Sequence, residues 1–320
     1  MTRMETTRDI KRDRETADRL REGMAQGVLS FPLTSFDAEG GLDLDGFRTH
    51  LAAQLAAGPG AVFVACGTGE FFSLSAEEYH AVVRTAVEVA AGQVPVVAGV
   101  GYGWSLGLQF ARLAEGAGAD AGLLMPHYLI SAPQRGYVDH VRAVAGGSSL
   151  PLIVYQRGQV KLSTAAVREL ATVDGVVGLK DGHGDLDQMQ RLRLVAPGDW
   201  LFFNGVATAE MQVRAYASIG IPAYSSAVHA FAPEIAGAFY AAHRAGDHPR
   251  MEHLLREFYL PLVELRDQGT GYAVSLVKAA ARLRGAPVGP VRAPLMEPAP
   301  DHLGQLEALL HTGLALATGR

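Results

Sequence analysis

The stretch that most invites chemistry is Val176-Val177-Gly178-Leu179-Lys180-Asp181. It is an apolar, β-prone run that stops at a lysine, so the ammonium would emerge where a buried parallel strand ends. A free lysine titrates near 10.4; burial penalises its charged form, and a desolvated lysine becomes an amine nucleophile. These six residues also suit a lysine that simply reaches solvent from a strand end. Two other stretches carry chemistry that would complement an amine. Tyr155 closes the run Leu152-Ile153-Val154-Tyr155 and could exchange protons with an amine or a substrate hydroxyl. The turn Gly67-Thr68-Gly69-Glu70 offers backbone N–H groups and one hydroxyl to a carboxylate. Each has a plainer alternative: Tyr155 as a barrel-filling aromatic, Gly67-Thr68-Gly69 as a tight strand-to-helix turn. Glu70 reads as a structural partner for backbone or hydroxyl groups, and Cys66 as a small buried hydrophobe.

The elements that would position these residues form a repeating pattern. Residues 27–36 read as a strand running into a turn, with Pro32 limiting it to a strand end or irregular edge, and a helix follows at about 43–57. Residues 61–66 form the next strand, and Ser75 with Glu78 three residues on is a capping box opening a helix. Strands follow at 95–100, 122–125, 152–155, 176–180, 201–204 and 221–225, each followed by a helix: 105–117, 133–145, 164–171, 186–195, 209–218 and 233–244. Eight such units within roughly 220 residues match a (β/α)8 TIM barrel better than an open doubly wound sheet. The open sheet should carry a dinucleotide fingerprint, and Gly99-Val100-Gly101-Tyr102-Gly103-Trp104 lacks its third glycine. From 246 to 320 the pattern is helical without strands, at about 251–267, 273–283 and 303–316, broken before the last by Pro287, Pro290, Pro294, Pro298 and Pro300. The expected organisation is a charged leader at 1–24, solvated or loosely helical, then the barrel at 25–245. An all-α appendage at 246–320 would pack on the barrel or on a neighbouring subunit.

Composition narrows the function classes. With 320 residues, 48% of them hydrophobic, the chain can bury a large core. A net charge of −5 without a basic run interleaved with aromatics argues against nucleic acid as a partner. No apolar run approaches a membrane span, and the first residues mix arginines with acids, unlike a secretory or transit signal. A single cysteine forbids an internal disulfide and fits a reducing, cytoplasmic setting. The eleven histidines are scattered without a His-x-x-x-His pair, so no metal site and no cofactor are expected.

In such barrels the active site lies at the carboxyl ends of the strands. That rule gathers Gly67, Thr68 and Gly69 after strand two, Tyr128 after strand four, and Tyr155 and Arg157 after strand five. It adds Lys180 and, just beyond it, His183 from strand six, Asn204 and Gly205 from strand seven, and Ser225 and Ser226 from strand eight.

Gly67-Thr68-Gly69-Glu70, the Tyr155 strand and Val177-Gly178-Leu179-Lys180-Asp181 together resemble the dihydrodipicolinate synthase/N-acetylneuraminate lyase superfamily of Schiff-base aldolases and lyases. The resemblance runs from about residue 27 to the C-terminus. It implies that Lys180 forms an imine with a 2-oxo acid, Tyr155 relays protons and Thr68 helps to hold the substrate carboxylate. It also implies a homo-oligomer, dimer or tetramer, with Tyr128 at a position that can reach a neighbouring subunit's site. Two departures narrow the branch. Gly67-Thr68 replaces the two hydroxyl residues usual before Gly-Glu in synthases and lyases, and Tyr155-Gln156-Arg157-Gly158 replaces their Tyr-Asn-x-Pro. Phe31-Pro32-Leu33-Thr34-Ser35-Phe36 and Gly69-Glu70-Phe71-Phe72-Ser73-Leu74 resemble instead the branch that dehydrates 5-dehydro-4-deoxyglucarate.

This resemblance implies a 2-oxo sugar diacid as substrate, losing water and CO2 to give 2,5-dioxopentanoate through a Schiff base on Lys180. Ser225 or Ser226 would meet substrate hydroxyls, Asn204 and Gly205 would line the site, and Arg157 or His183 would contact the second carboxylate. Two other readings stay open from the residues: a Schiff-base aldolase or lyase acting on another 2-oxo-3-deoxy sugar acid, and a catalytically silent oxo-acid-binding homologue.

Overall fold

The computed structural model describes residues 10–319; the first nine residues of the expected leader lie outside them. The chain opens with α1 (Ile10–Gln26) and then alternates strand and helix. In order come β1 (Leu29–Ser30), α2 (Leu44–Ala56), β2 (Ala61–Val64), α3 (Ala76–Ala90), β3 (Val96–Val100), α4 (Trp104–Gly116), β4 (Ala121–Leu124) and α5 (Gln134–Ala145). There follow β5 (Leu152–Gln156), α6 (Thr164–Leu170), β6 (Val176–Asp181), α7 (Leu186–Val195), β7 (Leu201–Asn204), α8 (Val213–Ser218), β8 (Ser225–Ser226) and α9 (Pro233–Ala245). The strands pair in parallel in the order β7-β6-β5-β4-β3-β2-β1-β8, and a bridge between Asn204 and Tyr224 joins the two ends. This is a (β/α)8 barrel.

Local sequence explains the helix starts. Asp43 and Asp185 accept hydrogen bonds from Gly46 N and Gln188 N, and Ser75 with Glu78 forms the full capping box. The period-two alternation of each strand sorts side chains between two apolar layers. Val62, Val64, Ala98, Val100, Leu124, Val154 and Leu179 face the helices. Leu29, Ala61, Phe63, Val97, Leu123, Ile153, Tyr155, Leu201 and Phe203 fill the barrel.

Two strands are shorter than expected. Of residues 27–36 only Leu29–Ser30 joins the barrel ladder, and of 221–225 only Ser225, continued by Ser226, forms the strand, with Tyr224 adding the bridge to Asn204. Pro32 and Pro222 have no N–H to donate, and the chain past Ser30 bends across the barrel mouth. There Leu33 N donates to His50 Nε2 and the Thr34 hydroxyl to the Gly69 carbonyl.

The described part of the leader takes the helical of the two expected forms, and it is docked rather than loose. Leu20 and Met24 on α1 are buried in the barrel-interior cluster, each contributing up to about 2–3 kcal/mol. Asp13 is buried with them, while Arg14, Glu15, Asp18, Arg19, Arg21 and Glu22 stay exposed, and Arg19 pairs with Asp120 at 2.8 Å. Gly23 permits this docking: a Cβ there would stand 2.0 Å from the Gly60 carbonyl oxygen.

After the barrel come α10 (His248–Leu254), a π-helical stretch at Leu255–Tyr259, α11 (Leu260–Arg266), α12 (Tyr272–Leu283) and α13 (Pro300–Thr318). One expected helix at 251–267 is therefore three segments; Pro261 removes a backbone donor, and the wider π turn absorbs the break just before it. Phe258, Tyr259, Leu276, Leu306 and Leu310 share a core with α9 and with Val28 and Tyr224 of the barrel, so this region packs on its own barrel. A buried ion pair fastens it: Lys278 Nζ of α12 meets Glu70 Oε1 at 2.7 Å, with both side chains at most 1% exposed. Glu70 Oε2 accepts from Arg292 N at 3.0 Å, which gives Glu70 the structural role expected of it.

Candidate active site

At the carboxyl end of the barrel, roofed on one side by α11 and α12, lies a cavity of about 380 Å³. Its position follows from the strand parity. Ladder register sets Tyr155 beside Lys180 and Lys180 beside Phe203, so all three point into the barrel. The out-of-phase neighbours Gln156, Asp181 and Asn204 point outward, where they tie strands to helices and loops. Gln156 Nε2 donates to Asp181 Oδ1 at 2.6 Å, and Tyr216 and the His183 and Gly184 amides also donate to that carboxylate. The strand segment under Lys180 is thereby fixed.

Lys180 ends in an aromatic slot. Its Nζ lies 4.0 Å from the ring centre of Phe31, 4.4 Å from that of Tyr155 and 5.7 Å from that of Phe203. Among the described residues no carboxylate pairs with it. Burial pushes its pKa from 10.5 down to about 7, and Arg157 acts in the same direction. Neighbouring Cys66 does not restore the charge, because burial pushes its own pKa up to about 12 and keeps it a thiol. A large share of Lys180 is therefore neutral amine at pH 7, in contact with the cavity. Gly205 makes this slot possible: a Cβ there would meet Lys180 Cε at 2.1 Å.

Tyr155 is buried beside it, and burial raises its pKa, with Arg157 opposing. Its hydroxyl donates to the Gly205 carbonyl at 3.2 Å and accepts from Arg157 Nη1 at 3.3 Å, so the phenol holds a proton within reach of the amine's surroundings. Glu210 is a second group poised near neutrality: burial pushes it up to about 7, and Oε1 accepts from the Ser226 hydroxyl at 2.6 Å.

Lys180, Tyr155, Arg157, Gly67, Thr68, Gly205 and Ser225 line the cavity together. Gly69, Asn204, Ser226, His183 and Tyr128 do not. The Gly69 carbonyl serves Thr34; Asn204 bonds the Ala209 carbonyl and the Val206 amide; Ser226, one step out of phase with Ser225, serves Glu210 and His229 N. His183 Nε2 is bonded to the Val160 carbonyl. Tyr128 is 67% exposed and packs on Tyr102. The cavity also holds residues that the strand-end rule missed: Phe31, Thr208, Glu210 and, from the C-terminal helices, Arg266 and Tyr272. The strand alternation alone could have removed Asn204 and Ser226; nothing local marks Arg266.

A model of the dihydrodipicolinate synthetase family matches residues 24–312. The chain belongs to that family. Among curated members, it is 67% identical over 299 residues, 93% of this chain and 90% of the relative, to a Streptomyces avermitilis protein named "Probable 5-dehydro-4-deoxyglucarate dehydratase 2". A Paracidovorax citrulli protein named "Probable 5-dehydro-4-deoxyglucarate dehydratase" is 43% identical, with 90% of this chain and 95% of that one covered. Among solved structures, dihydrodipicolinate synthase from Oceanobacillus iheyensis superposes with a TM-score of 0.84 over 92% of this chain and 98% of that one, at 22% identity, which bears on the fold.

Proposed function

We propose that this family member is a lyase that converts 5-dehydro-4-deoxyglucarate into 2,5-dioxopentanoate, CO2 and water through an imine on Lys180. The observation that carries the reading is the buried, aromatic-walled Lys180 amine, with no paired carboxylate among the described residues, opening into the same cavity as Tyr155 and the Gly67-Thr68 turn. Relatives bearing the dehydratase name at up to 67% identity supply the substrate.

The chemistry balances without an added oxidant or reductant. Neutral Lys180 attacks the C5 ketone; water leaves and a protonated imine forms. The iminium acidifies C4–H, whose proton is removed, and the C3 hydroxyl leaves as water with a proton supplied in turn. The new C3=C4 bond is conjugated to the iminium, so the C1–C2 bonding pair flows into that system and CO2 departs. C4 of the resulting dienamine takes a proton, which restores the iminium; the C2=C3 enol takes another at C3 and gives up its hydroxyl proton to become the aldehyde, and hydrolysis returns the ketone and free Lys180. Tyr155 is placed to carry these protons, with Arg157 able to support its phenolate. Thr68 and its turn would hold the C6 carboxylate, and Ser225 would meet a hydroxyl.

Incubation with 5-dehydro-4-deoxyglucarate should yield 2,5-dioxopentanoate and one equivalent of CO2. Release of pyruvate without CO2 would replace this reading with a retro-aldol lyase.

The protein would work in the cytoplasm as a homo-oligomer. Trp104 at the start of α4 and Tyr128, Leu129 and Ile130 in the loop after β4, each at least 63% exposed, form an apolar face that a second copy could cover. No helix among the described residues is long and apolar enough to cross a membrane.

A further inference from the structure

We infer that Arg266, braced by Thr208, is the residue that reads the substrate's distal carboxylate and so makes this a site for a diacid rather than a monoacid. The inference rests on the proposed function and adds to it the residue that sets the substrate class.

Two guanidinium groups reach the cavity. Arg157 is committed to the reacting end, where its Nη1 donates to the Tyr155 hydroxyl. Arg266 arrives from the opposite side, at the end of α11. Its Nη1 donates to Thr208 Oγ1 at 2.8 Å, and its Nε and Nη2 reach Asp267 Oδ1 at 2.9 and 2.8 Å. Of five N–H donors three are engaged, leaving one on each terminal nitrogen for a carboxylate. Thr208 holds a left-handed backbone (φ 55°) in the loop after β7, a conformation that a threonine adopts only where its surroundings enforce it.

Connectivity favours one of the two carboxylates. The Lys180 side chain rests on Gly205, and Thr208 follows three residues later, at most about 10 Å away. From the imine carbon C5 to C1 are four carbon–carbon bonds, spanning about 5 Å; a hydrogen bond adds about 3 Å, a reach of the same order as that bound. The C6 carboxylate, bonded directly to C5, stays beside the imine, where the Gly67-Thr68 turn is proposed to hold it, which leaves C1 for Arg266. The carboxylate at Arg266 is therefore the one that later leaves as CO2. A cation holding it favours the bound substrate over the decarboxylation transition state, so Arg266 should contribute to KM and not to kcat. Asp267, 62% exposed, shares the guanidinium and is available to take it back when the charge departs.

The test compares the full-length protein with Arg266→Gln, Arg266→Lys and Thr208→Ala. Two ligands are used: 5-dehydro-4-deoxyglucarate, and the same-length 2-oxo-3-deoxy acid with a hydroxymethyl group in place of the distal carboxylate. The concentration giving half-maximal borohydride trapping on Lys180 is read for each, together with KM and kcat for the diacid. In the wild type the diacid should trap at tenfold or more lower concentration than the monoacid. Arg266→Gln should raise the diacid value about 10- to 100-fold, as expected for a lost charge-assisted pair, with the monoacid value within twofold and kcat undiminished. Arg266→Lys should fall between, having the charge without the fork, and Thr208→Ala should shift the diacid alone by a few-fold. Equal losses for both ligands, an unchanged diacid value, or a fall in kcat at constant KM would each overturn the inference while leaving the imine intact. Absence of any wild-type adduct would overturn the proposed function, and this inference with it.

Discussion

Replacing Gly205 by alanine adds a single methyl group against the proposed nucleophile, and the structure gives the size of the insult. The new Cβ would lie 2.1 Å from Lys180 Cε, 2.6 Å from its Cγ and 2.9 Å from the Asp181 carbonyl oxygen. Non-bonded carbons settle at about 3.5–4.0 Å, so Cε must retreat by about 1.4 Å. The lysine can bend, but Phe31, Tyr155 and Phe203 bound the slot it occupies, and the amine leaves its place above them. Overpacking of this kind costs about 1–3 kcal/mol in stability, whereas a misplacement of about 1 Å in a reacting group costs about a hundredfold in rate. Gly205→Ala should therefore stay folded, with its melting temperature lowered by several degrees, and lose about two orders of magnitude in kcat/KM. Steady-state turnover of 5-dehydro-4-deoxyglucarate, with circular dichroism on the same samples, measures both. A folded variant with near-wild-type kcat/KM would refute the placement of Lys180 on which the mechanism depends.

Three further outcomes follow from the same geometry. Because the attacking species is the neutral amine and burial holds Lys180 at about 7, the rate of imine formation should rise with pH to a half-maximum near 7; a rise delayed to pH 9 or above would contradict the desolvated slot. Folding carries the cost of that slot. The unfolded chain keeps the proton up to about 10.5 and the folded one only to about 7, so the cost is full below pH 7 and disappears toward 10.5. At 1.36 kcal/mol per pH unit it amounts to at most about 5 kcal/mol, so Lys180→Met should be more stable than wild type at pH 6, with the gain vanishing near pH 10 in urea titrations. Lys278→Met strands the Glu70 carboxylate and should cost about 3–5 kcal/mol, most of it regained in the Glu70→Gln/Lys278→Met double variant; equal losses in both would show that the pair is not what fastens α12.

How much of this was legible in the sequence depended on the range of the interaction concerned. The barrel strands were visible because each is a short apolar run between turn signals, and the helix starts at Asp43, Ser75 and Asp185 are local hydrogen-bond motifs. Lys180 and Tyr155 were visible because strand ends converge in this architecture, and register then makes them neighbours. Asn204 and Ser226 share that strand-end position but have the wrong parity, so they face the helices. The strands at β1 and β8 are shorter than their apolar runs because Pro32 ends the first and Pro222 delays the second, which pairs only from Ala223 onward. α1 looked like a charged leader because only a narrow stripe, Leu20 and Met24, meets the barrel. Arg266 and Thr208 are 58 residues apart, and their meeting across the cavity depends on how α11 docks, which leaves no trace in either residue's neighbourhood.

The most direct test of the central claim is to mix the protein with 5-dehydro-4-deoxyglucarate, reduce with borohydride and locate and weigh the adduct by peptide mass spectrometry. The account predicts an adduct on Lys180 whose mass shows the loss of both water and CO2 from the substrate. Substrate consumed with no adduct on Lys180 would contradict it.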